Sequence, residues 1–391
     1  TETLLLKVTD RLLAAIDNRE VTLLVQLDLS KAFDTVSHAK MLDKLHSYGF
    51  RGNPLNWFHS YLSGRRSRVR VNEDISADLA VQSGVPQGSV LGPILFILYM
   101  ADLPRLLNYA NVDTYADDTQ IYLRTLPHDL NSAIAHLESD LSAVADWMDE
   151  NCLALNGSKS ELIVVGAKPS LRHIPANLEI TIAGEKIGRS TCIKSLGVLI
   201  DETLSFEHHV SSVASKALRS AMSIRSASPV LPQCLVSDLV RSLVLPIYDY
   251  CSTVFSSVSK SVLDRLEKSE RHSIRVCYGR RKFDDMSDVF HSNGWLPFSE
   301  RSFKQLCLTT YKCLHGSAPP YLSSAFEFSP VLHGTQGLIP LRPPRCRRSD
   351  GKRSFVYRAT HAWNSLPAHV KTSTSRDVFC QRILEHFSSL H

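Results

Sequence analysis

At 391 residues, with 43% hydrophobic and 21% charged side chains, the chain has ordinary globular composition and room for two or three domains, which excludes wholesale disorder. Lys and Arg (44) barely outnumber Asp and Glu (39), so nucleic-acid binding is permitted and has to be sought in local clusters. Nine scattered cysteines without a Cys-x-x-Cys pair, no evident signal peptide, and a longest apolar run (Val90 to Met100) short of the ~20 residues a bilayer needs argue for a soluble intracellular protein with reduced thiols.

Leu4, Leu5, Val8, Leu12, Leu13 and Ile16 recur at helical spacing and predict a helix over 2–17. Val21 to Leu27 is a nearly continuous apolar run of strand length that ends at Asp28. The chain then turns through Ser30 to Phe33, enters a helix near Ser37 that ends at Gly49, and starts a second at the Asn53-Pro54 cap and first turn, ending at Gly64. A polar strand follows. Its alternation places Arg66, Arg68 and Arg70 on one face, Val69 and Val71 on the other. Ser83 to Gly92 is a glycine- and proline-bearing loop leading into a helix over Ile94–Met100, and backbone without side chains can approach a base pair closely there.

Thr114, Tyr115, Ile121 and Tyr122 suit extended chain around Asp117-Asp118, so a hairpin is expected with its turn at 117–118. An amphipathic helix over 128–150 crosses back to a strand over Leu162–Val165, an order that fits an antiparallel sheet with helices on one face. Hairpins occupy 178–201, with Ala183-Gly184-Glu185 as a turn. Helices follow at 207–226, 233–245 and 261–277, the last carrying Arg265, Lys268, His272 and Arg275 opposite Val262, Leu266 and Ile274. Cys307, Cys313 and His315 approach metal-ligand spacing but lie on an apolar helix without a matching second pair, so a metal is not expected there. Arg342, Arg345, Arg347, Arg348, Lys352 and Arg353 crowd a proline-rich loop, readable as a flexible tether or as an RNA contact.

A carboxylate at the end of a buried strand is costly without a cation or donor. If the strand ending at Asp28 pairs beside the hairpin, Asp28, Asp117 and Asp118 converge, and gathered hard oxygens suit Mg²⁺. Two such ions about 3.5–4 Å apart would clamp an in-line phosphoryl transfer.

Leu27 to Asp34 (LDLSKAFD), Ser83 to Pro93 (SGVPQGSVLGP) and Tyr115 to Asp118 (YADD) resemble the first three palm motifs of a reverse transcriptase, in order. The flavour is that of LINE-type, jockey-like non-LTR retrotransposons. Leu155 to Glu161 resembles the lysine-bearing fourth motif and Ser195 to Asp201 the primer-grip region. Gly294 to Pro297, His315 to Leu322 and Ala362 to Pro367 resemble the tail that follows the thumb in some such elements.

The resemblance implies an α+β fold with a palm and partial fingers over 1–170, primer-grip-like hairpins over 171–205, a helical thumb over 206–282 and a mainly helical C-terminal region over 283–391. It implies an RNA-directed DNA polymerase that works on an RNA template, a DNA primer and deoxynucleoside triphosphates, with two Mg²⁺ ions (Mn²⁺ as the alternative) on Asp28, Asp117 and Asp118, and that is nuclear at least transiently. Phe33 matches the position that shuts out a 2′-hydroxyl, Gln87 and Gly88 line the nucleotide and template pocket, and Lys159 lies near the triphosphate. Arg66, Arg68, Arg265, Lys268, Arg275, Arg345, Arg347 and Arg348 are the candidate nucleic-acid contacts; oligomeric state is left open. Only 27 residues precede Asp28, and no endonuclease domain or Cys-His knuckle is recognised, so the competing reading is a truncated remnant that binds nucleic acid without polymerising.

Overall fold

The computed structural model describes residues 1–329 and 340–388; the remaining pieces of the expected 283–391 tail, 330–339 and 389–391, lie outside the described residues. The chain divides into two units, Glu20–Ile193, and Thr1–Arg19 together with Lys194–His391. Helix α1 (Glu2–Asp17) forms where its periodicity predicts, and it belongs to the second unit rather than to the sheet it precedes in sequence.

In the first unit the apolar run becomes β1 (Val21–Leu27), flanked by helices α2 (His38–Ser47), α3 (Asn53–Leu62), α4 (Leu91–Met100) and α5 (Leu130–Glu150) and joined by strands β2 (Asn111–Tyr115), β3 (Asp118–Thr125), β4 (Glu161–Val165), β5 (Glu179–Ile182) and β6 (Glu185–Ser190). The sheet order is β5-β6-β4-β1-β3-β2. Pairing is antiparallel except between β4 and β6, where Leu162 and Ile163 run parallel to Arg189 and Ser190. The sheet is therefore mixed, not purely antiparallel as expected. The reason lies in the β5–β6 hairpin, closed at Ala183-Gly184 with both residues at positive φ, which returns its second strand along β4.

Val21, Leu23, Val25 and Leu27 alternate onto the face that packs with Leu137, Leu141, Val144 and Met148 of α5 in one core, which also takes Leu95, Phe96 and Tyr99 of α4. Both faces of β1 are buried, which is why its sequence reads as a continuous apolar run rather than an alternating one. Truncating a core leucine such as Leu141 to alanine would cost about 2–5 kcal/mol. Three local details differ from expectation. Gly52 caps α3 and Asn53 is already helical; α4 starts at Leu91, with Pro93 in the first turn where no amide is needed; and the polar strand is broken into Arg66–Ser67 paired with Leu79–Ala80 and Arg70–Val71 paired with Asp74–Ile75.

The second unit is helical: α6 (Glu207–Ala227), α7 (Gln233–Leu243), α8 (Lys260–Cys277), α9 (Phe298–Leu314), α10 (Phe355–Ser365) and α11 (Arg376–Ser388). Arg301 of α9 fastens it from within, donating to Asp249 and to the buried Glu270. Helix α1 is tied in by two carboxylates. Asp10 accepts from Phe355 N (2.6 Å) and Val356 N (3.2 Å) at the start of α10, and Asp17 accepts from Arg347 N (2.8 Å) and Arg348 N (2.6 Å). Cys307 and Cys313 are buried in α9 with thiols pushed up by burial, as structural cysteines are. Among the described residues no helix is long and apolar enough to cross a membrane.

Candidate active site

The pairing of β1 with β3 runs from Val21↔Thr125 to Leu27↔Thr119, so one further step sets Asp28 opposite Asp118. On the neighbouring edge Tyr115 pairs with Asp118, which makes Ala116-Asp117 the two-residue turn of the β2–β3 hairpin. The turn thus falls one residue earlier than expected. Ala116 takes the left-handed conformation (φ 55°), Asp117 sits at the tip, and Asp118 is the first residue of a strand. All three carboxylates are half-buried. Burial first, then the charges of Asp117 and Asp28, hold the Asp118 carboxyl above its ordinary range.

Among the described residues, no three His, Cys, Asp or Glu side chains form a finished metal-ligand cluster. The three aspartates nevertheless fit a divalent cation by donor type and by charge: they are hard oxygens, and the charges of Asp117 and Asp28 on Asp118 are of the sign that such an ion would offset.

Asp28 is held by its backbone. Its amide donates to Ser160 Oγ (3.3 Å) and its carbonyl accepts from Asn156 N (2.9 Å), so the segment expected to present Lys159 also clamps the end of β1. Asn156 caps the 3₁₀ turn Gly157–Lys159, and the Lys159 side chain stands exposed.

The 83–92 loop is zipped to the turn after β1: Gly84 N donates to Val36 O (2.8 Å), Val85 N to Phe33 O (2.9 Å) and Ser83 Oγ to Asp34 O (2.9 Å). Gly84 has φ +83°, and a Cβ there would lie 2.8 Å from Asp34 Cα, so the approach of the two backbones requires glycine. The exposed Gln87 donates from Nε2 to Asp34 Oδ1 (2.8 Å), beside the exposed Gly88. Phe33 stacks on Phe96, with centroids 4.6 Å apart, and is half-buried, so one ring face is packed and the ring is fixed.

The basic candidates sort unevenly. Arg66 and Arg68 are exposed, Arg66 at 3.6 Å from Asp78, and the break in their strand leaves Arg68 between two paired stretches. Arg265 and Lys268 stand exposed on α8. Arg275 leaves that row: it is half-buried and reaches Asp284 O at 3.5 Å. The next arginine in the chain, Arg280, is engaged by both carboxylate oxygens of Asp288. Arg345 and Arg347 are exposed and Arg348 half-exposed.

Four positioning side chains escaped sequence reasoning. Arg65 donates to Gly84 O (2.6 Å), and His38 Nε2 lies 2.9 Å from the same carbonyl. Asp140, fully buried on α5, accepts from Asn108 N (3.0 Å), Tyr109 N (2.9 Å) and Ala110 N (2.7 Å), fixing the loop that enters β2. Tyr122 donates to the buried Asp113 (2.7 Å), tying β3 to β2 below the turn. Only Asp140 left a signal, an acid in phase with Leu137, Leu141 and Val144 on the apolar stripe of a helix.

The model of the family described as reverse transcriptase (RNA-dependent DNA polymerase) matches residues 5–200. A probable RNA-directed DNA polymerase from transposon BS of Drosophila melanogaster is 28% identical over 290 residues, covering 69% of this chain and 30% of that protein. The RNA-directed DNA polymerase from mobile element jockey of the same organism is 26% identical over 284 residues, covering 70% and 30%. The chain thus spans about 30% of the length of these relatives. A solved telomerase from Candida albicans, in complex with a fragment of telomeric RNA, is similar at 12% identity and a TM-score of 0.35, over 81% of this chain and 53% of that one.

Proposed function

The chain belongs to the reverse transcriptase family, and we propose that it is the palm, thumb and C-terminal region of a non-LTR retrotransposon RNA-directed DNA polymerase that extends a DNA primer on an RNA template, in the nucleus at least transiently. The observation that carries this reading is the register of β1 with β3, which brings Asp28, Asp117 and Asp118 to one end of the sheet. On this reading the sheet of the first unit is the palm, the helices from Glu207 to Cys277 are the thumb, and the hairpin closing at Leu196-Gly197 is the primer grip.

Two Mg²⁺ ions, or Mn²⁺ in their place, held by Asp28 and Asp117 with Asp118 in support, would supply the Lewis acid that activates a primer 3′-hydroxyl and stabilises departing pyrophosphate. Asp28 is suited to this because its backbone is clamped at both N and O, so its carboxylate starts from a fixed point. Phe33, braced by Phe96, presents its open side to the nucleotide sugar and leaves no room for a 2′-hydroxyl. Gln87 and Gly88 line the nucleotide and template pocket on a loop that Arg65 and Asp34 hold in place. Lys159 serves the triphosphate, while Arg66, Arg68, Arg265 and Lys268 serve nucleic-acid phosphates.

Primer extension on an RNA template, with the chain alone and with the chain joined to a fingers segment from a relative, tests the reading. Template-directed incorporation that requires Mg²⁺ in at least one of the two is expected; none in either, from protein that binds the template, would leave a nucleic-acid-binding remnant.

A further inference from the structure

The basic loop that follows Leu341 is built, not merely charged. Its backbone is held at several points: Asp17 of α1 takes the amides of Arg347 (2.8 Å) and Arg348 (2.6 Å), and Gly351 lies so close to Asp17 that a Cβ would come within 2.7 Å of Oδ1. Arg353 donates to Ser257 O (3.2 Å) and to Leu204 O, and Asp10 grips the chain directly beyond, at Phe355 and Val356. These anchors divide the basic residues into two sets. Arg342 faces Glu327 at 3.6 Å and Arg353 is consumed inside the unit. The side chains of Arg345, Arg347, Arg348 and Lys352 point no hydrogen bond or ion pair at any described residue, and all but the half-exposed Arg348 are exposed. Asp17 pushes the half-buried Cys346 thiol up, though less than burial does, while Lys352 pulls it down, which sets Lys352 within electrostatic reach of the same turn.

We propose that residues 345–352 form a preorganised site for the phosphate backbone of single-stranded RNA, contacted by Arg345, Arg347, Arg348 and Lys352 and not by Arg342 or Arg353. The proposal rests on the reading that this chain works on RNA, and it adds which cations meet the strand and why α1 is needed. Three of the four are arginines, whose forked donors match the oxygens of a phosphate backbone. A flexible basic segment would lose ordering entropy on binding, whereas a loop already fixed by Asp17 loses little.

The test is fluorescence anisotropy of a labelled single-stranded RNA with the full chain across a salt series, repeated with DNA of the same sequence. Wild type should weaken with salt, and R345Q/R347Q/R348Q should flatten the log-log slope by about 2, at about 0.7 per phosphate, so that doubling the salt weakens wild type roughly fourfold more than the variant. Arg342→Gln should leave the slope unchanged. Asp17→Asn separates a built site from a bare cluster: it removes a negative charge and should tighten RNA binding if charge alone matters, but weaken it if the carboxylate shapes the loop. An unchanged slope in the triple variant, tighter binding by Asp17→Asn, or an effect confined to DNA would overturn the proposal. Asp117→Asn, which should lose polymerisation and keep RNA binding, keeps this result separate from the polymerase reading: a flattened slope in a chain that never polymerises would sink that reading and leave the loop.

Discussion

Gly84→Ala should damage the first unit far more than Gly88→Ala, although both glycines belong to one loop and both lie at positive φ, +83° and +77°. Forcing a side chain into the left-handed region costs about 1–2 kcal/mol at either position. At Gly88 nothing lies within 4 Å of the added Cβ, so that strain is the whole effect. At Gly84 the Cβ meets Asp34 Cα and O at 2.8 Å, and those are backbone atoms locked by Gly84 N to Val36 O and Val85 N to Phe33 O. Overpacking against atoms that cannot rotate away adds about 1–3 kcal/mol. The gap between the variants should therefore be about 1–3 kcal/mol, or roughly 5- to 150-fold at 1.4 kcal/mol per decade. Hydrogen exchange of the amides of β1 and β3, under conditions where closing outpaces exchange, reads it as the ratio of opening equilibrium constants. Equal acceleration in the two variants would refute the reasoning, because it would mean the contact at Asp34 does not resist.

Phe33→Val should raise the ribo-to-deoxyribonucleotide ratio of kcat/KM even if total activity drops; an unchanged ratio with a lower Tm would make the ring a core residue stacked on Phe96 and nothing more. Asp140→Ala removes the buried carboxylate to which three part-buried amides donate, a net loss of about 0.5–1.5 kcal/mol each, so urea denaturation should show about 2–4 kcal/mol of lost stability; a change within ~0.5 kcal/mol would mean that water replaces the carboxylate there. The Asp10 carboxyl is pushed up to about 6, chiefly by burial, against the amides of Phe355 and Val356 and the charge of Arg358, which lower it. Its folded value exceeds the ordinary ~3.9, so the stability it contributes is complete below about pH 4 and is lost as pH rises through about 6. Melting temperatures measured between pH 4 and 7 should fall less steeply in Asp10→Asn than in wild type, and parallel curves would contradict this.

Elements whose burial repeats with a clear period were legible in the sequence. The run Val21 to Leu27 reads as a buried strand by its length and apolar continuity, and the stripe Leu130, Ile134, Leu137, Leu141, Val144 and Met148 as one face of an amphipathic helix. The β2–β3 turn was misplaced by one residue because Asp-Asp is turn chemistry, whereas the register gives the left-handed position to Ala116, which no local preference selects. The partners of α1 were invisible for another reason. Asp10 and Asp17 look like solvated residues on an amphipathic helix, yet they accept from amides more than 300 positions away, and no local pattern encodes a partner at that distance. Arg65 was passed over because alternation placed Arg66, Arg68 and Arg70 on the functional face, while the residue that holds the Gly84 carbonyl has the opposite parity.

Whether Asp28, Asp117 and Asp118 form a divalent-cation site for nucleotidyl transfer is tested most directly by Asp117→Asn, because that half-buried side chain sits in a two-residue turn whose backbone pairing does not depend on it. The measurement is single-turnover addition of one deoxynucleotide to a primer on an RNA template in Mg²⁺, alongside Tm and RNA affinity, with the fingers segment attached if the bare chain requires it. Loss of one carboxylate ligand should lower the rate by several powers of ten, about 1.4 kcal/mol for each, with Tm and affinity near wild type. Addition within about tenfold of the wild-type rate would contradict the assignment, since a group that binds the catalytic ions cannot be neutralised for so little.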